Sequence, residues 1–90
     1  MSLPLASRCD MRRIRFVHRR IKGAWGLAWP DKWKIALSPN MDDRTHMDIA
    51  IHEGLHCIFP DLSEEAVNQA GITLADLLWR LGYRRTNEDD

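Results

Sequence analysis

Apolar and polar residues alternate in three short stretches of this chain and then change to helical spacing. Between Arg13 and Ile21, Ile14 and Phe16 fall on one side and arginines on the other. Trp25, Leu27 and Trp29 alternate with the small residues Ala24, Gly26 and Ala28, and Trp33, Ile35 and Leu37 alternate with Lys34, Ala36 and Ser38. A period of two is the signature of a strand with two unlike faces. Lys22-Gly23 and Pro30-Asp31 are turn pairs between these stretches, and Pro39 ends the third. The pattern predicts a small antiparallel three-stranded sheet, arranged as a meander.

From Asp43 to Ile58 the chain is apolar almost all round a helix. Met47, Ile51, Leu55 and Ile58 lie on one side, and Ala50, Gly54 and Cys57 form a seam of small residues on another. Asp42 and Asp43 set negative charge at the start, where the helix dipole favours it. Such a helix is expected to be buried. Glycine inside a helix costs about 1 kcal/mol relative to alanine, so Gly54 suggests that a strand of the sheet approaches there. Phe59-Pro60-Asp61-Leu62 breaks the helix, and Ser63 is a suitable cap for a second one with Glu64 and Glu65 in its first turn. Val67, Ala70, Leu74, Leu77, Leu78 and Leu81 keep helical spacing as far as Gly82, a natural stop. Gly71 and Thr73 leave room for a kink. The fold class is therefore α+β, with the sheet followed by two helices.

Ninety residues, 44% of them hydrophobic, suffice for one globular domain but are near the lower limit for folding on apolar burial alone. A bound metal would be an effective staple for so small a core. Residues 1–11 read as a loose arm, 12–85 as the domain and 86–90 as an acidic tail. Net charge is zero, yet seven basic residues and one acid lie between Arg8 and Lys22. That segment reads as a solvated strand face or as a footprint for nucleic acid or an acidic partner. Cys9 and Cys57 are the only cysteines. They read as free thiols in a reducing compartment, and with neither a signal-peptide core nor a membrane-spanning stretch the expected location is cytoplasmic.

The chemistry is concentrated in His52-Glu53-Gly54-Leu55-His56. Residues four apart on a helix differ by about 40° around the axis, so both imidazoles project toward one point. The spacing and residue types are those of the HExxH motif, with two zinc ligands and a general base. Glu53 is the residue to take a proton from water acidified by the metal and pass it to a leaving amine. Its competing role is that of a surface carboxylate. A catalytic zinc takes three protein ligands and leaves a place open. A third ligand six residues beyond His56 would fall on Leu62, which cannot serve, so Asp61, Glu64 and Glu65 remain. Glu64 precedes Val67, Gly71 and Leu74 at helical intervals and is favoured. Glu65 shares its face with Asn68 and Gln69. Asp48, one turn before His52, is a candidate to orient an imidazole, with solvent exposure as the competing role. His18 and His46 fit no ligand spacing, and Cys57 reads as a core residue.

On the HExxH motif and the Ser63-Glu64-Glu65 cap, residues 23–83 resemble the zincin metallopeptidases, in particular gluzincin-like forms whose third ligand is a glutamate on the next helix, and short SprT-like or phage-type metallopeptidase domains. The resemblance implies a minimal zincin-like fold, with zinc held by His52, His56 and Glu64, and Glu53 as the base. It also implies that the strand Ala24 to Trp29 pairs with an extended peptide or protein substrate, the small residues Ala24, Gly26 and Ala28 letting it lie close. Tyr83, the one tyrosine, receives no oxyanion role. The expected function is thus a zinc metallopeptidase. The alternative is a zinc-stabilised module that contacts nucleic acid or a protein partner through residues 8–22 without catalysis.

Overall fold

The computed structural model describes residues 13–86; the expected arm at 1–11, Cys9 and the tail beyond Thr86 lie outside that range. Three strands, β1 (Arg15–His18), β2 (Gly26–Trp29) and β3 (Lys34–Leu37), precede two helices, α1 (Asp43–Ile58) and α2 (Glu64–Leu81). The α+β class and the order of elements follow the hydropathy pattern. The sheet, however, is mixed. Its order is β1-β3-β2, with β3 antiparallel to β2 and parallel to β1.

The departure from an antiparallel meander has a physical cause. Ile35, Ala36 and Leu37 are all buried, so β3 is apolar on both faces and takes the centre. β1 and β2 each have an exposed face and become edges. The chain between them, residues 19–25, turns at Gly23 with φ 81° and leaves space for β3. β1 is then tied to β3 through Arg15 N–H to Trp33 O and Arg19 N–H to Leu37 O, both 2.9 Å. Trp33, expected in the third strand, instead adopts the left-handed region (φ 49°) and closes a 3-10 turn at Pro30–Lys32.

α1 packs on one face of the sheet, mainly against β2 and β3, and α2 packs on α1. The core is Ile35, Leu37, Met41 and Cys57, extended by the half-buried Ile14, Ala28, Ile49 and Ala50. Asp42 caps α1 by accepting from Thr45 N–H, and its pKa is lowered chiefly by a hydrogen bond from the Thr45 side chain, helped by that backbone bond and opposed by desolvation. Ser63 caps α2 by accepting from Ala66 N–H at 3.1 Å. α2 runs unbroken through Gly71 and Thr73 and ends at Gly82, whose φ of 100° permits bonds back to the carbonyls of Leu78 and Trp79.

Two expectations about burial are corrected. α1 is only half-buried along most of its length, with Cys57 alone fully covered. On α2 the contact face is Val67, Gly71 and Ala75, one turn apart, while Leu74, Leu77 and Leu81 lie exposed on its flanks. Small residues let the helices approach closely, so the leucines are left at the rim. No described helix is long and apolar enough to cross a membrane.

Candidate metal centre

The Phe59–Ser63 turn folds the start of α2 back over the last two turns of α1. Pro60 cannot continue the first helix, and Phe59 N–H closes it on Leu55 O at 2.8 Å. Glu64, the first residue of α2, thereby reaches the His52 and His56 imidazoles. Its Oε1 lies 3.0 Å from His56 Nε2 and 3.5 Å from His52 Nε2. The two rings meet edge to face, 4.9 Å between centroids.

Among the described residues this trio is the group of histidine, cysteine or acidic side chains able to share an ion, with its donor atoms within 4.8 Å of one another. Tetrahedral zinc with bonds near 2.0 Å requires ligand atoms roughly 3.3 Å apart. The observed carboxylate–imidazole separations bracket that value. The donor set, two imidazoles and one carboxylate, suits a metal that keeps an open position for water. The residues present fit zinc, although other divalent metals accept the same donors.

The other sequence candidates fall elsewhere. Asp61 lies in the exposed turn and Glu65 on the outer side of α2, and neither belongs to the trio. Asp48 pairs with Arg44 at 3.4 Å. Cys57 is a buried free thiol whose Sγ approaches Lys34 O, and burial pushes its pKa up. His18 and His46 form a separate pair, with 2.9 Å between their Nε2 atoms and nearly parallel rings.

Glu53 is half-buried between α1 and β2. Burial raises its pKa above the usual carboxylate range, opposed by the His52 and His56 imidazoles and reinforced by Glu64. Its position depends on Gly26. A Cβ at Gly26 would lie 2.7 Å from Ile49 Cγ2, 3.0 Å from Glu53 Cγ and 3.2 Å from Ala36 O. The close approach expected at Gly54 is thus found at Gly26, since a Cβ at Gly54 would meet only Ile14 Cδ1 at an ordinary 3.8 Å. The sequence carried a signal for this, because glycine inside a strand often marks a close neighbour.

The small residues of β2 consequently face α1. Gly26 and Ala28 lie on that side, and Ala24 precedes the strand in an exposed loop. Their backbones point elsewhere. Ser38 N–H donates to Trp25 O at 2.8 Å, so in the antiparallel alternation Leu27 and Trp29 bond to β3. Gly26 and Ala28 then turn their N–H and C=O groups to the open edge of the sheet, beside Glu53.

No protein-family model, curated protein or solved structure matches this chain.

Proposed function

We propose that the protein is a zinc-dependent peptidase acting on an extended peptide or protein segment. The observation that carries this reading is the convergence of His52, His56 and Glu64 on one point, with the half-buried Glu53 next to them and next to an open strand edge. A zinc ion held by the trio would supply Lewis acidity, which lowers the pKa of water and polarises a carbonyl oxygen.

The chain's own groups perform the remaining tasks. Gly26 and Ala28 offer backbone donors and acceptors to a substrate strand, which aligns its scissile amide along β2. Glu53 accepts a proton from the attacking water and returns it to the departing amine. Its partial burial suits the second half of that cycle, because desolvation favours a carboxyl that holds a proton. His52 and His56 are held in register by one turn of α1, and Glu64 is held by the Ser63 cap.

The test is Glu53→Gln in protein whose metal content is measured. The variant should retain stoichiometric zinc and lose at least about 1,000-fold in cleavage of a peptide library, as expected when a general base is removed and its neighbours stay in place. Full activity in the glutamine variant would sink the assignment.

A further inference from the structure

The side of the sheet turned away from α1 points to a second activity, independent of the metal centre. Strand alternation places Arg15 and Val17 of β1, Lys34 and Ala36 of β3, and Leu27 and Trp29 of β2 on that side. Residues 13–38, which form the sheet and its loops, contain seven Lys or Arg and one acid, Asp31. Residues 39–86, which form the helices, contain eight acids and four Lys or Arg. A chain of zero net charge is thus split into a cationic layer and an anionic one, and the field of each is local to its surface.

The cations are interleaved with apolar and aromatic surface. Val17 and Leu27 are more than a third exposed, and Trp25, next to β2, is 55% exposed. Ala36 is fully buried as the floor between them. The Arg19 guanidinium and the Lys34 ammonium stand 5.7 and 5.4 Å from the centre of the Trp29 ring. Arg15 Nη2 donates to Lys32 O at 3.3 Å, which holds the guanidinium at the same end of the sheet as Lys34. None of these cations has a carboxylate partner within ion-pair distance among the described residues. Cations without acids, two of them against the half-buried Trp29 ring and with the exposed Trp25 indole close by in sequence, suit a polyanion that also carries flat apolar faces.

We propose that this open face binds single-stranded nucleic acid, with Arg15, Arg19 and Lys34 on the phosphates and Trp25 stacked on a base. Three strands of four residues give a face roughly 14 Å across, enough for about two or three nucleotides. Unpaired bases offer the π-faces that a duplex conceals, and each stacked base is worth a several-fold gain in affinity. An acidic peptide matches the cations but leaves the indole and the Val17–Leu27 surface unused. An anionic membrane matches the charge but offers no flat π-face on which an exposed indole can stack.

The experiment uses the full chain and fluorescence anisotropy with labelled oligo-dT and oligo-U of about 12 nucleotides, near the site sizes of small binding folds. Comparison ligands are a duplex of equal length, a polyglutamate peptide and anionic phospholipid vesicles. A single strand, of either sugar, should bind best and quench tryptophan emission. With three phosphate contacts its affinity should fall about 20-fold between ~50 and ~200 mM salt. Trp25→Ala should weaken binding at least about fivefold and remove most of the quench. Arg19→Glu with Lys34→Glu should weaken it more than tenfold, whereas Arg80→Glu on α2 should change it less than twofold. Circular dichroism verifies the fold of each variant, and the wild-type salt dependence and ligand ranking stand without any variant. The proposal is overturned if no oligonucleotide binds at low salt, if duplex, polyglutamate or vesicles bind as well as single strands, or if Arg80→Glu costs as much as the sheet substitutions. Retained binding by His52→Ala, which removes a metal ligand, would support a site separate from the metal centre; loss in that folded variant would overturn that separation.

Discussion

The helix layer and the sheet layer of this protein are built on opposite principles. In the helix layer the proposed function rests on convergence: His52, His56 and Glu64 come from two helices and meet within 4.8 Å. In the sheet layer the proposed function rests on dispersal, as Arg19 and Lys34 flank Trp29, Arg15 lies opposite Lys34 on β1, and none of the three pairs with an acid among the described residues. A metal ligand set works only if three atoms are held to a fraction of an ångström. A cationic face works if charge and flat surface share one side of a sheet. Tight placement needs caps, a turn and a small-residue helix contact, whereas loose placement needs only strand alternation. The two layers should therefore respond very differently to perturbation.

Metal removal should have the largest effect, and on the helix layer first. Zinc at about 1,000 times its dissociation constant adds roughly 4 kcal/mol to the folded state, equivalent to about 15 °C or more in a domain of this size. Melting measured by differential scanning fluorimetry should fall by that amount with chelator and recover with zinc. A metal-independent melting temperature would remove the convergent site altogether.

Next in size is the loss of one ligand. Glu64→Ala should weaken zinc binding more than about 100-fold in a competition titration with a chromogenic chelator, since even supporting residues around a metal contribute 10–100-fold. The same substitution should change the stability of metal-free protein by less than about 1 kcal/mol. The Glu64 side chain is 71% exposed, and exposed ion pairs contribute little. A large loss in the metal-free state would mean that Glu64 is structural.

The joint between the layers is tested by two glycines. Gly26→Ala drives a methyl group into Ile49, Glu53 and the Ala36 carbonyl. It should cost about 1–3 kcal/mol in urea unfolding and lower peptidase turnover by displacing Glu53. Gly54→Ala meets only ordinary contact and should stabilise α1 by up to about 1 kcal/mol. The reverse order would place the close contact at the helix rather than at the strand.

The smallest expected effect is the pH response of the His18–His46 pair, which links β1 to α1. Burial lowers the His46 pKa below its ordinary 6.5, aided by the charges of Arg85 and His18 and opposed by Asp43. A histidine whose folded pKa is depressed binds more protons when unfolded. Its contribution is present above about 6.5 and is lost as pH falls through the lower folded value. Melting temperature should therefore drop more steeply below pH 6.5 in wild type than in His46→Gln; parallel profiles would remove the pair from the link.

Much of the helix layer was legible in one dimension. Asp42, Ser63, Pro60 and Gly82 mark helix ends through local chemistry, and those ends fall where expected. The fourfold spacing of His52 and His56 places both rings together because helical geometry is local. Periodicity favours Glu64 over Glu65 but says nothing about Asp61, which lies in the turn before the helix. The sheet was less legible. Each strand could be located, but strand alternation says nothing about which neighbour a strand selects, so β3 appeared last in a meander rather than in the centre. The leucines of α2 also misled, because burial is decided by which residues let two helices come close. Gly71 and Ala75 do so, and Leu77 and Leu81 are excluded to the rim.

By itself, the sequence determined the elements, their caps and the pairing of two imidazoles on one helix face, all of which follow from interactions within a few residues. Only the tertiary structure decided that Glu64 closes on those imidazoles, that Gly26 rather than Gly54 receives a neighbour, and that cations from β1 and β3 share one side with Trp29 of β2. Those outcomes depend on which surfaces meet after the chain reverses, and that is set by packing between distant residues rather than by any local propensity.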